Sequence, residues 1–178
     1  MTRPARYVML LAAVACYPTT TRPALVPQPG AAVEDLELFV PEATREVALA
    51  LDGDTIPVRR TEPRDGWLES EWFDARTMQV TGARPVGLDV VKVRAFIDPG
   101  QDNHSIVTIE TVYRPLADPS RDGRELERQV PPDHRIAIKV TGIMRRLRAQ
   151  HGEPPADADS AAVTAPTPKP VPRDSSKP

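Results

Sequence analysis

The sequence predicts an α+β fold: a four-stranded antiparallel sheet made of two hairpins, flanked by an N-terminal helix and a long C-terminal helix. Three observations predict it. Two helical apolar stripes stand at the ends of residues 33–152, and two pairs of strand-like runs lie between them, each pair separated by turn chemistry. Proline is crowded outside that region; the chain of 178 residues holds 21 prolines and only 4% aromatic residues, so part of it builds no core.

The first helix is predicted from Val40, Thr44, Val47, Ala48 and Leu51, which recur at helical spacing. Pro41 suits its first turn, Glu42 and Glu46 suit the positive end of its dipole, and Gly53 is a natural C-cap. Val33–Phe39 either extends this helix or forms a separate segment. Thr55–Arg60 and Gly66–Asp74 flank Glu62-Pro63-Arg64-Asp65-Gly66, a turn sequence, and form the first hairpin. Alternation within its second strand points Leu68, Ser70 and Trp72 inward. The second hairpin pairs Asp89–Asp98 with His104–Tyr113 across Pro99-Gly100-Gln101-Asp102-Asn103. Val91, Val93, Ala95 and Ile97 share one face with Lys92 and Arg94 on the other; Val107, Ile109 and Tyr113 share a face of the partner strand. A charged, mobile loop is expected over Arg114–Val130. The closing helix, about Pro132–His151, buries Ile136, Val140, Ile143 and Leu147 and ends at Gly152.

The flanks carry a different message. Arg3 and Arg6 precede Tyr7–Ala15 (YVMLLAAVA), an apolar run far short of the roughly 20 residues that span a bilayer. That is the pattern of a signal peptide over residues 1–15, with small residues before the cleavage point. Cys16, the single cysteine, follows Ala13-Val14-Ala15 directly. This segment resembles the lipobox of bacterial lipoproteins, with Ala13 where leucine is usual. The resemblance implies that Cys16 is acylated, palmitate included, and becomes the new N-terminus anchored in the membrane of the cell envelope. Tyr17 in place of a retention aspartate implies the outer membrane, facing the periplasm, in a two-membrane organism. The alternative is an ordinary secretory signal cut after Ala15, leaving a secreted or periplasmic protein with a free thiol.

Residues 16–32 hold four prolines and three threonines and are expected to be an extended tether, reaching on the order of 50 Å. Residues 153–178 are rich in Pro, Ala, Ser and charge and are expected to form a disordered tail.

Function classes are narrowed mainly by exclusion. A formal net charge of −2, more acidic still once Arg3 and Arg6 are removed, argues against nucleic acid as a partner. The three histidines, His104, His134 and His151, lack metal-ligand spacing, and no nucleophile elbow or glycine-rich phosphate loop occurs; no metal, no cofactor and no catalytic activity are expected. Asp98, Asp102, Asn103 and His104 read as turn residues, and Asp52-Gly53-Asp54 as a helix end. Arg145, Arg146 and Arg148, with Arg135 and Lys139, give the closing helix a basic outer face, which suits anionic headgroups, a protein partner or simply solvent.

The order helix, two strands, two strands, helix is similar to the helix-grip modules of small envelope lipoproteins, including the accessory lipoproteins of outer-membrane β-barrel assembly. That similarity implies a protein-interaction or structural module with an envelope protein partner. The alternative is an exported pocket protein holding a small apolar ligand between sheet and helix, with Trp72 and Tyr113 as lining.

Overall fold

The computed structural model describes residues 20–82 and 85–152. Within them the chain forms an α+β fold with two helices and one antiparallel sheet of seven strands. The expected signal segment, Cys16 and the C-terminal tail lie outside the described residues. The strands are β1 (Ala32–Leu36), β2 (Val58–Glu62), β3 (Trp67–Ser70), β4 (Phe73–Asp74), β5 (Val90–Pro99), β6 (Ser105–Tyr113) and β7 (Arg128–Gln129). The helices are α1 (Val40–Gly53) and α2 (Arg135–His151). The sheet runs in the order β1-β6-β5-β3-β2, with β4 on β5 and β7 on β6.

The expected four strands are therefore an undercount. Val33–Phe39 belongs to no helix; its first part is β1, which pairs Ala32 with Ile109 and Leu36 with Ser105. Five residues of mixed character are too short for their alternation to stand out. β7 is two residues inside the loop expected to be mobile.

The second hairpin forms, with Lys92 opposite Val112 and Arg94 opposite Glu110. Val91, Val93, Ala95, Ile97, Val107 and Ile109 join Leu36, Leu68 and Phe73 under the helices. Ala43, Val47 and Leu51 of α1 and Ile136, Val140, Ile143, Met144 and Leu147 of α2 complete this core. Each Val, Leu, Ile, Phe or Met side chain among them contributes about 1.5–3 kcal/mol when fully withdrawn from water.

The first hairpin holds, with Glu62 opposite Trp67, but its second strand breaks after Ser70. The Ser70 hydroxyl accepts the Val93 backbone N–H at 2.9 Å and donates to the Glu71 carbonyl at 2.7 Å. A side chain has taken a backbone place in the ladder, so the alternation slips by one residue. Phe73, not Trp72, then enters the core. Gly66 makes the preceding turn possible: its φ of 60° is left-handed, and a Cβ there would strike the Ile97 carbonyl oxygen. The closing helix begins three residues later than expected because the His134 ring, not a proline, caps it: Nδ1 accepts from the Ile136 N–H at 3.3 Å. At the end of α1 the left-handed residue is Thr55, at φ 63°, and not Gly53.

Candidate functional site

The face of the sheet turned away from the helices carries Trp67 and Glu69 of β3, Lys92, Arg94, Phe96 and Asp98 of β5, and Ile106, Thr108 and Glu110 of β6, alternating with the core residues. Lys92 and Arg94 stand on this outer face as the alternation requires, yet it is not a solvated one. Lys92 is 7% and Arg94 6% exposed, and Glu110 is fully buried.

Two covers account for this. The first is the segment 20–31, which lies across the outer face. Thr21 binds Asp65 through its N–H and hydroxyl, each at 2.6 Å. Arg22 forks onto Asp98 at 2.7 and 3.2 Å and lies 5.4 Å over the Phe96 ring. Gln28 N–H donates to Glu110 at 2.8 Å, and the Val26 carbonyl accepts from Arg124 at 2.6 Å. Within the stretch expected as an extended tether, Thr21, Arg22, Val26 and Gln28 are thus hydrogen-bonded to the domain. The second cover is the loop after β6, which brings Arg114, Arg124, Leu126 and Glu127 back over the sheet; Glu127 is fully buried.

Together these residues form a buried ion network, in which only the Nε atoms of Arg94 and Arg114 are buried without a hydrogen-bond partner. Arg94 holds Glu127 through both terminal nitrogens at 2.6 and 3.0 Å and reaches Glu110 at 3.0 Å. Arg124 takes Glu110 at 2.5 and 3.0 Å and Glu127 at 3.0 Å. Arg114 adds a contact to Glu127 at 3.1 Å, and Lys92 meets Glu69 at 3.3 Å. Burial pushes the Glu127 carboxyl up, but the hydrogen bonds and charge of Arg94, followed by Arg124 and Arg114, hold it below its usual value. Burial likewise opposes the Arg94 cation, and Glu127 with Glu110 outweighs it, raising its pKa. For Lys92 burial wins over the attraction of Glu69, and the ammonium is held below its ordinary range.

Such a network has little to offer chemistry. Guanidinium groups do not give up protons, and the two central carboxylates are saturated by charge-assisted bonds. A general base needs a free lone pair in reach of substrate. Its physical role is to join β5, β6, the loop and the N-terminal segment into one unit.

The residues singled out from sequence are scattered. Trp72 lies on the outer side, its ring 5.5 Å from the Lys92 ammonium and 4.8 Å from the Arg114 guanidinium. Tyr113 packs against the core beneath the helices. The sheet separates the two, so they do not line one pocket. Arg145, Arg146 and Arg148 are exposed on α2. Arg146 is spent on Asp54, Arg148 on Glu34 at 3.3 Å, and Lys139 also turns to Asp54, at 3.1 Å from its carbonyl. In the turn cluster Asp98 is bound by Arg22 and His104 by Asp35 at 3.0 Å, while Asp102 and Asn103 hold left-handed backbone. Among the described residues no group of three or more metal-ligating side chains comes together, and no helix is long and apolar enough to cross a membrane.

The seam between β6 and α2 holds a cleft of about 430 Å³, lined in part by Ile109, Gln129, Val130, Ala137 and Val140. The Gln129 side-chain oxygen is buried without a partner. Sequence reasoning placed a pocket between sheet and helix but named Trp72 and Tyr113 as its lining, and it missed the network. One signal for the network was available: Arg94 and Glu110 are unlike charges on the faces assigned to water of two strands expected to pair, and the structure sets them opposite each other. Comparison with known proteins gives no match to a family model and none to a curated sequence.

Proposed function

We propose that this chain is a non-catalytic lipoprotein of the cell envelope, anchored through acylated Cys16, whose α+β domain serves as a protein-interaction or structural module. The observation that carries the non-catalytic half is the ion network: its two central carboxylates, Glu110 and Glu127, are buried and each is met by two or more arginine nitrogens. The anchor rests on the signal-like segment and Cys16. In a two-membrane organism the place is the outer membrane, facing the periplasm.

Fractionation of cells expressing wild type and Cys16→Ser tests the anchor. Wild type is expected with membranes, and the variant in the soluble fraction with an unchanged circular dichroism spectrum. A wholly soluble wild type overturns the anchored reading in favour of a secreted or periplasmic protein. In-cell crosslinking from exposed positions tests the module: one reproducible envelope partner is expected, and none at any position counts against it.

The seam between β6 and α2 favours a second reading, an exported pocket protein for a small apolar ligand. Its volume is in the range of small-molecule sites, and Gln129 offers one polar group to orient a guest. The lining is then Ile109, Val130, Ala137 and Val140, in place of Trp72 and Tyr113. Saturable binding of an apolar dye, abolished by Ala137→Phe in a folded protein, is the outcome that reading requires.

A further inference from the structure

The described chain begins at one end of the sheet. Thr21 is held by Asp65, and Arg22 by Asp98, at the end of β5 that turns into β6. The same end receives the close of α2: the Glu37 N–H donates to the His151 carbonyl, and Leu36 stands opposite Ser105. Both exits from the domain, at residues 20 and 152, therefore open at the β5–β6 tip. Phe39 is there too. Its neighbour Leu38 accepts the Ser105 hydroxyl at 2.6 Å, and the Val40 side chain abuts Gly66. Phe39 is 56% exposed, more than any other aromatic ring among the described residues.

We infer that the protein sits on the bilayer tip-down, with the β5–β6 turn, the Pro63–Asp65 turn and Phe39 against the lipid surface. This rests on the acylation of Cys16 proposed above. From Cys16 to Thr21 there are five residue steps, which span at most roughly 18 Å fully extended. Were residues 20–31 loose, the same anchor would allow roughly 50 Å and the domain would tumble freely. The bonds of Thr21, Arg22 and Gln28 remove that slack. An exposed aromatic ring at the held end suits the headgroup region.

Charge does not set this orientation. The tip carries Asp35, Glu37, Asp65, Asp98 and Asp102 beside Arg22, Arg64 and His104, an acidic balance that gives anionic headgroups no attraction. The opposite end, where Val86, Leu88 and Leu116 are exposed, faces away from the membrane. Tip and far end are separated by the length of β6, roughly 26 Å at 3.3 Å per residue.

The test uses full-length acylated protein in phosphatidylethanolamine–phosphatidylglycerol vesicles carrying a nitroxide on the lipid headgroup. A fluorophore is placed at Gln101→Cys on the tip or at Leu116→Cys at the far end, both exposed. Flotation with the vesicles is scored first. Protein that fails to float overturns the anchored reading and the seating with it. When it floats, quenching several-fold stronger at 101 than at 116 is expected, and equal or reversed quenching overturns the seating while the anchor stands. The contrast is expected to persist in phosphatidylcholine vesicles and at high salt; a contrast seen only in anionic vesicles at low salt refutes the short-tether argument. Asp65→Ala with Arg22→Ala, which removes the bonds of Thr21 and Arg22 to the domain and leaves Val26 and Gln28 held, lengthens the free tether to about ten residue steps, roughly 36 Å fully extended, and is expected to weaken the contrast while flotation is unchanged. A contrast untouched by that double substitution also overturns it.

Discussion

Glu127→Gln leaves a side chain of nearly the same size in a fully buried place but removes one of the two central negative charges of the network. Arg94 and Arg124 then keep Glu110, Arg94 also keeps Glu69 at 3.6 Å, and Arg114 is left without an acidic partner among the described residues. Arg94 loses a fork of 2.6 and 3.0 Å, and Arg114 its contact at 3.1 Å. Removing one partner of a buried ion cluster costs about 3–5 kcal/mol, most of it the penalty of uncompensated buried charge. For a domain of this size that is a fall in Tm of roughly 10–15 °C. The control is Glu125→Gln, whose pair with Arg121 lies in solvent at 49% and 59% side-chain exposure and is expected to stay within about 0.5 kcal/mol. Urea unfolding followed by circular dichroism measures both. A Glu127→Gln protein within about 1 kcal/mol of wild type would refute the view that the network is a structural lock.

Acid acts on the same group. The folded Glu127 carboxyl lies below the unfolded value of 4.5, so its stabilisation is complete above that pH and is lost as pH falls through the lowered folded value. Glu127→Gln is expected to flatten the acid limb of a stability-versus-pH curve. His134 works higher on the scale. Burial lowers its pKa from 6.5, against Asp89 and with Arg135, and its neutral Nδ1 caps α2. The folded state binds the proton less well, so this contribution is complete above 6.5 and declines as pH falls below it. His134→Asn keeps a capping acceptor and is expected to remove that slope. Gly66→Ala forces a Cβ onto the Ile97 carbonyl and to 2.9 Å from Val40 in left-handed backbone; a loss of about 2–5 kcal/mol is expected by urea unfolding. Arg22→Ala removes a half-exposed fork and a ring contact, costs about 1 kcal/mol, and is expected to open residues 20–31 to limited proteolysis before the sheet is cut.

The core was legible where one physical rule governs. Val91, Val93, Ala95 and Ile97 alternate because β5 packs one face on helices, and Ile136, Val140, Ile143 and Leu147 repeat because α2 packs one stripe on the sheet. Trp72 was misplaced because Ser70 substitutes its hydroxyl for a backbone partner, an event with no periodic signature. β1 was ambiguous for its shortness, and β7 was hidden in a polar loop. The outer face was the larger miss. Lys92 and Arg94 are charged, and charge is ordinarily a sign of water. What buries them comes from residues 22–28 and 114–127, far away in sequence, and a proline-rich segment carries no pattern announcing the surface it lies on. Arg3 to Cys16, whose pattern is read as a signal of destination, lie outside the described residues.

The most direct measurement is the intact mass of the N-terminal peptide of the mature protein purified from membranes. The account predicts a chain beginning at Cys16 and heavier than its sequence by acyl chains, palmitate among them, with the addition absent from Cys16→Ser. An unmodified peptide beginning at Cys16, or at any later residue, would contradict it.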